Sequence, residues 1–243
     1  RWSMCDTPVA PPARAGAVFV YDAGRKVSVL YGGTAGGQRL GDVWEWDGRR
    51  WMANEGSDAP PPRSGSASTY DRRRKVVVLF GGADAAHDNG KWFDDTWVFN
   101  GRTWTRREPK TRPPCRMGHT MAYDEETGQV VMFGGVGPAN WEIGDTWIWE
   151  GENWSAGVSK PCPSARYYHS MTYDLNRRVV VLFGGRQSNG TDLNDVWEWS
   201  GTSWTKRDPA SSPAGRAEMS AVYDENRRVC VYFGGTQVSG GFM

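Results

Sequence analysis

Three unbroken apolar runs, Val76–Phe80, Val130–Phe133 and Val179–Phe183, stand out from a polar background, and each is stopped by a Gly-Gly pair. A run of that length between turn residues predicts a strand covered on both faces. A second pattern reads Asp42-Val-Trp44-Glu-Trp46, Asp95-Thr-Trp97-Val-Phe99, Asp145-Thr-Trp147-Ile-Trp149 and Asp195-Val-Trp197-Glu-Trp199. Its aromatics alternate with smaller residues at period two, the signature of a strand. Tight turns such as Asp47-Gly48 and Asn100-Gly101 then lead to a strand carrying one further Trp, a hairpin signal. A leading strand that starts at an Arg and ends at a Tyr-Asp pair, where Asp opens a turn, completes a unit of four strands, a to d. No segment carries a convincing helical period.

The unit recurs five times. Its starts are Arg14, Arg63, Arg116, Arg166 and Arg216, and its Tyr-Asp pairs are Tyr21-Asp22, Tyr70-Asp71, Tyr123-Asp124, Tyr173-Asp174 and Tyr223-Asp224. The Gly-Gly pairs begin at Gly32, Gly81, Gly134, Gly184 and Gly234, with spacings of 49, 53, 50 and 50 residues. Four-stranded units of this period, with paired glycines and periodic Trp, resemble kelch repeats. The resemblance covers essentially all 243 residues. It implies an all-β, single-domain kelch-type β-propeller, with blades packed face to face around a central channel. Four repeats are complete and the first and last blades are partial. Trp2 stands 12 residues before Arg14, as Trp51, Trp104, Trp154 and Trp204 stand 12 before the next Arg, so the chain opens in a strand d. It stops at Met243 before a fifth strand c. The expectation is a piece of a longer propeller of five, six or seven blades.

Charge narrows the partners. The 29 Lys and Arg against 28 Asp and Glu leave a net charge of +1, without the basic excess of a nucleic-acid binder. No stretch approaches the ~20 apolar residues of a membrane span. The four cysteines follow no metal-ligand spacing. Cys230 takes a strand-b position held by Val77, Val130 or Val180 elsewhere, and reads as a small core thiol. Cys115 and Cys162 each precede an Arg in consecutive d–a loops, and read as unpaired thiols sooner than as a bridge between blades.

A residue present in every repeat is most simply explained by the fold, so departures carry the functional signal. Of 14 Trp, only Trp92 and Trp141 fall off the pattern, in the b–c loops of the second and third repeats. Each either stacks on a ligand or folds over its own blade. The longest such loop, 84–94, holds His87 and Asp88, which join the ligand-binding candidates. No spacing supports a divalent ion among Asp84, His87 and Asp88, and neither a metal nor a cofactor is expected. His119 and His169 lie three residues after the repeat Arg, where other repeats have Ala17, Ser66 and Met219. No Ser or Cys partner repeats beside them, which favours a structural role. Resemblance to kelch substrate adaptors implies that Arg14, Arg63, Arg116, Arg166 and Arg216 form a basic ring for acidic peptides. The alternative pairs the arginines with Asp42, Asp95, Asp145 and Asp195, and the recurrence of both partners favours it.

These readings point to a non-enzymatic scaffold that takes a protein, peptide or glycan on its b–c and d–a loops. Those loops share one face, because strand d ends where strand b ends. A kelch-type oxidase or carbohydrate-binding protein is the alternative by analogy with galactose oxidase, and a structural subunit of a larger assembly is the third reading. Copper chemistry would ask for two His with Tyr and Cys ligands at the channel, and this chain has three His in two regions. The Arg- and Ala-rich loops resemble bacterial kelch repeats, many of them exported, which leaves a secreted or cell-surface location open.

Overall fold

The computed structural model describes residues 7–56, 58–84, 90–158 and 160–238, with the backbone alone of 241–242. Trp2, Cys5, His87 and Asp88 lie outside the described residues. Blade 1 contains β1 (Val18–Asp22), β2 (Val27–Tyr31), a small hairpin of β3 (Thr34–Ala35) and β4 (Gln38–Arg39), then β5 (Val43–Trp46) and β6 (Trp51–Asn54). Blade 2 is β7 (Ala67–Asp71), β8 (Val76–Phe80), β9 (Thr96–Phe99) and β10 (Trp104–Arg107). Blade 3 is β11 (Thr120–Asp124), β12 (Gln129–Phe133), β13 (Thr146–Trp149) and β14 (Trp154–Gly157). Blade 4 is β15 (Ser170–Asp174), β16 (Val179–Phe183), β17 (Val196–Trp199) and β18 (Trp204–Arg207). Blade 5 shows β19 (Ser220–Asp224), β20 (Val229–Phe233) and a hairpin of β21 (Thr236–Gln237) with β22 (Gly241–Phe242).

The first four blades are antiparallel sheets in sequential order, and among the described residues none of the sheets closes on itself. One short 3₁₀ turn, Pro138–Asn140, is the helical content of the described residues. No helix is long and apolar enough to cross a membrane. Strand a begins four residues after the repeat Arg rather than at it. The residue after the Arg is held in an isolated bridge to the b–c loop, as in Ala15–Thr34 and Tyr167–Arg186, and the next one turns left-handed, so ladder pairing starts later. The c–d hairpins pair Trp46 with Trp51 and Trp149 with Trp154, which leaves four turn residues. In the first of these turns the Asp47 carboxylate accepts the N–H groups of Arg49 and Arg50, and Gly48 supplies φ 92°.

The core lies between blades. One apolar cluster joins blades 1 and 2, a second joins 2 and 3, a third joins 3 and 4. A recurring lock sets the last residue of strand b against the strand-d Trp of the next blade. Tyr31 meets Trp104 at 5.3 Å, Phe80 meets Trp154 at 5.3 Å, and Phe133 meets Trp204 at 5.4 Å between ring centroids. The indole N–H groups of Trp154 and Trp204 donate to Thr96 and Thr146 in the preceding blade, each at 2.9 Å. Such burial of a large aromatic with its polar tip satisfied explains why the blades require one another.

Successive strands a lie side by side around an axis, β1 beside β7, β7 beside β11, β11 beside β15 and β15 beside β19. Their starts are linked by a chain of backbone hydrogen bonds. The N–H of Gly65 donates to Gly16, Gly118 to Gly65, Tyr168 to Gly118 and Glu218 to Tyr168, over 2.7–2.9 Å. This hub lies at the end of the blades that carries the b–c loops.

Candidate functional site at the channel mouth

The repeat arginines are consumed by the fold. Arg14 grips Asp42 with two bonds of 2.6 and 2.7 Å, and Arg166 grips Asp195 with bonds of 2.6 and 2.9 Å. Arg63 and Arg116 hold Asp95 and Asp145 in the same fork. Each also donates to a glycine carbonyl of the Gly-Gly pair and to the carbonyl two residues upstream, and the Trp two residues after each Asp donates to the same carboxylate. Arg63, Arg116 and Arg166 are fully buried. Their forks are spent on carboxylates and carbonyls, which makes them locks between strand a and strand c. Arg216 donates to Ala214 and Gly234, and no carboxylate among the described residues pairs with it.

His119 and His169 point between blades, not into the channel. Their rings stand edge-on to Phe80 and Phe133, both at 5.6 Å, and lie against Gly81 and Gly134 of the preceding blade. Burial, with the nearby Arg166 charge in the same sense and Asp195 partly opposing, depresses the His169 pKa to about 3. Burial, then the charges of Arg116 and His169, depresses His119 well below its usual value. Both are neutral packing groups. Cys115, Cys162 and Cys230 are free thiols. Cys230 is half-buried rather than a full core residue, because β20 pairs with β19 alone among the described residues, and its thiol is pushed up to about 11 by burial and then by Asp174.

The adjacent hub position is where the repeats diverge. It is Gly16, Gly65 and Gly118 in the first three blades, then Tyr168 and Glu218. All five keep a left-handed backbone, with φ 53° at Tyr168 and 62° at Glu218. For a Tyr or Glu that conformation is strained, by about 1 kcal/mol or more. Tyr168 lies over Gly118. Burial first, then Glu218, raises its hydroxyl pKa, while Arg39 from blade 1 and Arg186 from blade 4 pull the other way. The Arg39 charge of blade 1 is thus felt at Tyr168 of blade 4, although those blades are not neighbours.

A charged network surrounds Tyr168. Arg186 donates to Asp192 at 2.7 Å and to Thr236 at 3.2 Å, and Thr236 donates in turn to Glu218 at 3.2 Å. The bond to Asp192 is the main reason the Arg186 pKa is raised. Arg39 donates to Thr34, while its Nε is buried without a partner among the described residues. The rim adds the two off-pattern Trp. Trp141 is 63% exposed, on a loop where Ala139 and Asn140 are both left-handed. Ser188 of blade 4 ties to that loop through Glu142, at 2.8 Å. Trp92 is half-buried, with its indole N–H unpartnered among the described residues. The mouth therefore offers a phenol, two guanidinium groups, a carboxylate and flanking indoles, a set suited to a polar ligand with flat or hydroxyl-bearing parts. Sequence reasoning singled out the two Trp but not Arg39, Tyr168, Arg186 or Glu218. The signal available was the break in the Gly16, Gly65, Gly118 series.

These features define a β-propeller scaffold with an asymmetric channel mouth. A comparison with protein-family models gives no match, and one with curated proteins gives none either. Among solved structures, one titled "Structure of YjhT" superposes with a TM-score of 0.78 at 12% identity, over 96% of this chain and 81% of that chain. That likeness is one of fold.

Proposed function

We propose that this protein is a kelch-type, non-enzymatic binding scaffold that takes a protein, peptide or glycan on its b–c and d–a loop face, centred on the channel mouth. The observation that carries the reading is the pair Tyr168 and Glu218, held left-handed at hub positions where glycine would sit without strain. A fold that needed only the turn would keep glycine there, as three blades do. The varied loops, exposed Trp141 and the nitrogens of Arg39 and Trp92 without a partner among the described residues support the same face.

The test restores the repeat rule. Glu218→Gly should fold at least as well as wild type, since strain is relieved, whereas Tyr168→Gly also gives up the packing of its ring over Gly118 and is compared only as folded protein. Both should lose partners recovered by affinity capture and ligands bound on a glycan array. Trp141→Ala should weaken the same binding. Unchanged binding in all three variants would refute the loop-face reading.

A further inference from the structure

At the end of the blades opposite the b–c loops, the a–b turns repeat a pattern of their own. Three residues after the Asp of each Tyr-Asp pair stand Arg25, Arg74, Thr127, Arg177 and Arg227. In every blade the Oδ1 of that Asp accepts the N–H of this third residue, which shapes the turn. In four blades the second oxygen, Oδ2, accepts from the guanidinium. Asp22 is paired in this way with Arg25, Asp71 with Arg74, Asp174 with Arg177 and Asp224 with Arg227, over 2.7–2.8 Å.

Two of these guanidinium groups also reach the next blade. Arg25 donates to the Gly101 carbonyl at 3.3 Å, and Arg74 donates to the carbonyls of Gly128, at 3.2 Å, and Glu150. A Cβ at Gly101 would strike the Arg25 guanidinium, and one at Gly151 would strike that of Arg74. Each guanidinium is thus held between the a–b turn of one blade and the c–d turn of the next. Blades 1 and 4 add a second carboxylate, from Glu45 and Glu198. Blade 2 has Val98 at that position, so a single Asp is enough to hold the cation there.

Blade 3 has the carboxylate without the cation. Asp124 is 1% exposed, and it makes no ion pair among the described residues, since Arg72 and Arg178 pair with its neighbours Glu125 and Glu126. Ile148 replaces Glu45, and Thr127 replaces the Arg. The Thr127 hydroxyl is buried with no hydrogen-bond partner among the described residues. Gly201 is the counterpart of Gly101 and Gly151, and a Cβ there would find the Thr127 methyl at 3.0 Å and Asp124 Oδ2 at 3.7 Å. The oxygen that binds guanidinium in the other four blades therefore faces the same turn here. A buried carboxylate without a counter-charge is costly, and a cation that binds it recovers that cost.

We propose that the turn pair between blades 3 and 4 is a binding site for a guanidinium-type cation, which takes the place of the side chain that Thr127 cuts short. Asp124 Oδ2 and Thr127 Oγ1 accept its N–H groups. The carbonyls of Ser200 and Gly201 stand where those of Glu150 and Gly101 receive Arg74 and Arg25. A planar cation with diverging donors suits this ring of oxygens better than a point-like ammonium. The equivalent slots open to solvent, with the Arg25 and Arg74 side chains 31% and 33% exposed, so a guest has a way in. The group arrives either in a free guanidino compound or on an arginine of a partner. The site lies at the far end from the channel mouth and is independent of what that mouth binds.

The experiment titrates ethylguanidinium chloride, which carries the end of an arginine side chain, into the 243-residue protein, with ethylammonium chloride at equal ionic strength as control. Amide chemical shifts and thermal unfolding are the readouts. Wild type should show saturable shifts at residues 124–128 and 200–202, and a Tm raised by about 2–5 °C once the ligand is about tenfold above its Kd. Thr127→Arg supplies the group from the chain itself, as blades 1 and 2 do; it should begin with a higher Tm and bind about tenfold more weakly or worse. Asp124→Asn keeps Oδ1 for the turn and should lose affinity to the same degree. The proposal is overturned by an equal response in all three proteins, by wild type without saturable shifts, or by equal affinity for ethylammonium. An acetylated and amidated Gly-Arg-Gly peptide separates the two sources: binding as tight as that of ethylguanidinium supports a partner's arginine, and weaker binding supports a free compound.

Discussion

His169 stores a pH dependence that its three-dimensional setting makes calculable. The imidazole is buried between Phe133 and Gly134 with neither nitrogen bonded among the described residues. Its pKa in the folded protein is about 3, depressed first by burial and then by Arg166. In the unfolded chain the value is about 6.5. Below pH 6.5 the unfolded chain therefore takes up a proton that the native state refuses, and stability falls as pH falls until the native pKa is passed. Above pH 6.5 both states are neutral and this contribution is complete. The slope approaches 1.4 kcal/mol per pH unit, so the step from pH 7.5 to 5.0 costs about 2 kcal/mol, and the full descent to pH 3 costs about 4–5 kcal/mol. His119 acts in the same sense.

The perturbation is His169→Met, because blade 5 already places Met219 at this position, beside Gly184. Methionine fills the same gap, does not titrate and leaves no ring nitrogen unbonded. Urea unfolding followed by Trp fluorescence at pH 7.5 and 5.0 gives the stability of each protein at each pH. Wild type should lose about 2 kcal/mol more than the variant over that interval, and the carboxylates, common to both, cancel. The double variant His119→Met/His169→Met should be flatter still. If wild type and His169→Met lose stability in parallel, the imidazole is not held neutral and the reasoning fails.

Three further outcomes are expected. Trp104 faces a blade whose equivalent of Thr96 and Thr146 is Val43, and its indole N–H is unbonded among the described residues, so Val43→Thr should stabilise by about 1 kcal/mol while Thr146→Val should cost about 1–3 kcal/mol, read as opposite shifts in Tm. Asp95→Asn leaves the buried Arg63 without its counter-charge and should cost about 3–5 kcal/mol in chemical denaturation, a loss larger than that for the more exposed Asp42→Asn. Gly134→Ala and Gly234→Ala share the left-handed penalty of about 1–2 kcal/mol, but only the first meets a carbonyl oxygen at 2.6 Å, so calorimetry should show it to be the more damaging by a clear margin.

The blade pattern is legible because each strand type buries something different. Strand b is covered on both faces and reads as an unbroken run, as in Val179–Phe183, whose bounds in the sequence match the strand. Strand d announces itself by a Trp that docks on the blade before it, and β10, β14 and β18 all begin at that Trp. The start of strand a was not legible. The Arg that marks the repeat is fixed by side-chain bonds to Asp and by its own carbonyl's bond to the previous blade, and neither bond belongs to a ladder. A conspicuous residue therefore sits four positions outside the strand it introduces.

The site was less legible because two neighbouring columns of the repeat have opposite fates. Three residues after the Arg, His119, His169 and Met219 face the glycine pair of the preceding blade, where chemistry-bearing side chains become packing groups. Two residues after it, a backbone turn that glycine would satisfy carries Tyr168 and Glu218 at the hub. The histidines attract notice by residue type, whereas the hub residues matter through a dihedral angle that a sequence does not display. Arg39 and Arg186 come from blades 1 and 4 and share no repeat position, and only the winding of successive blades about a common axis brings both charges to bear on one phenol. In a repeat architecture, locks are read from what recurs. Sites are read from what recurs except once or twice, provided the column is one whose side chain the fold sends toward the axis rather than toward the neighbouring blade.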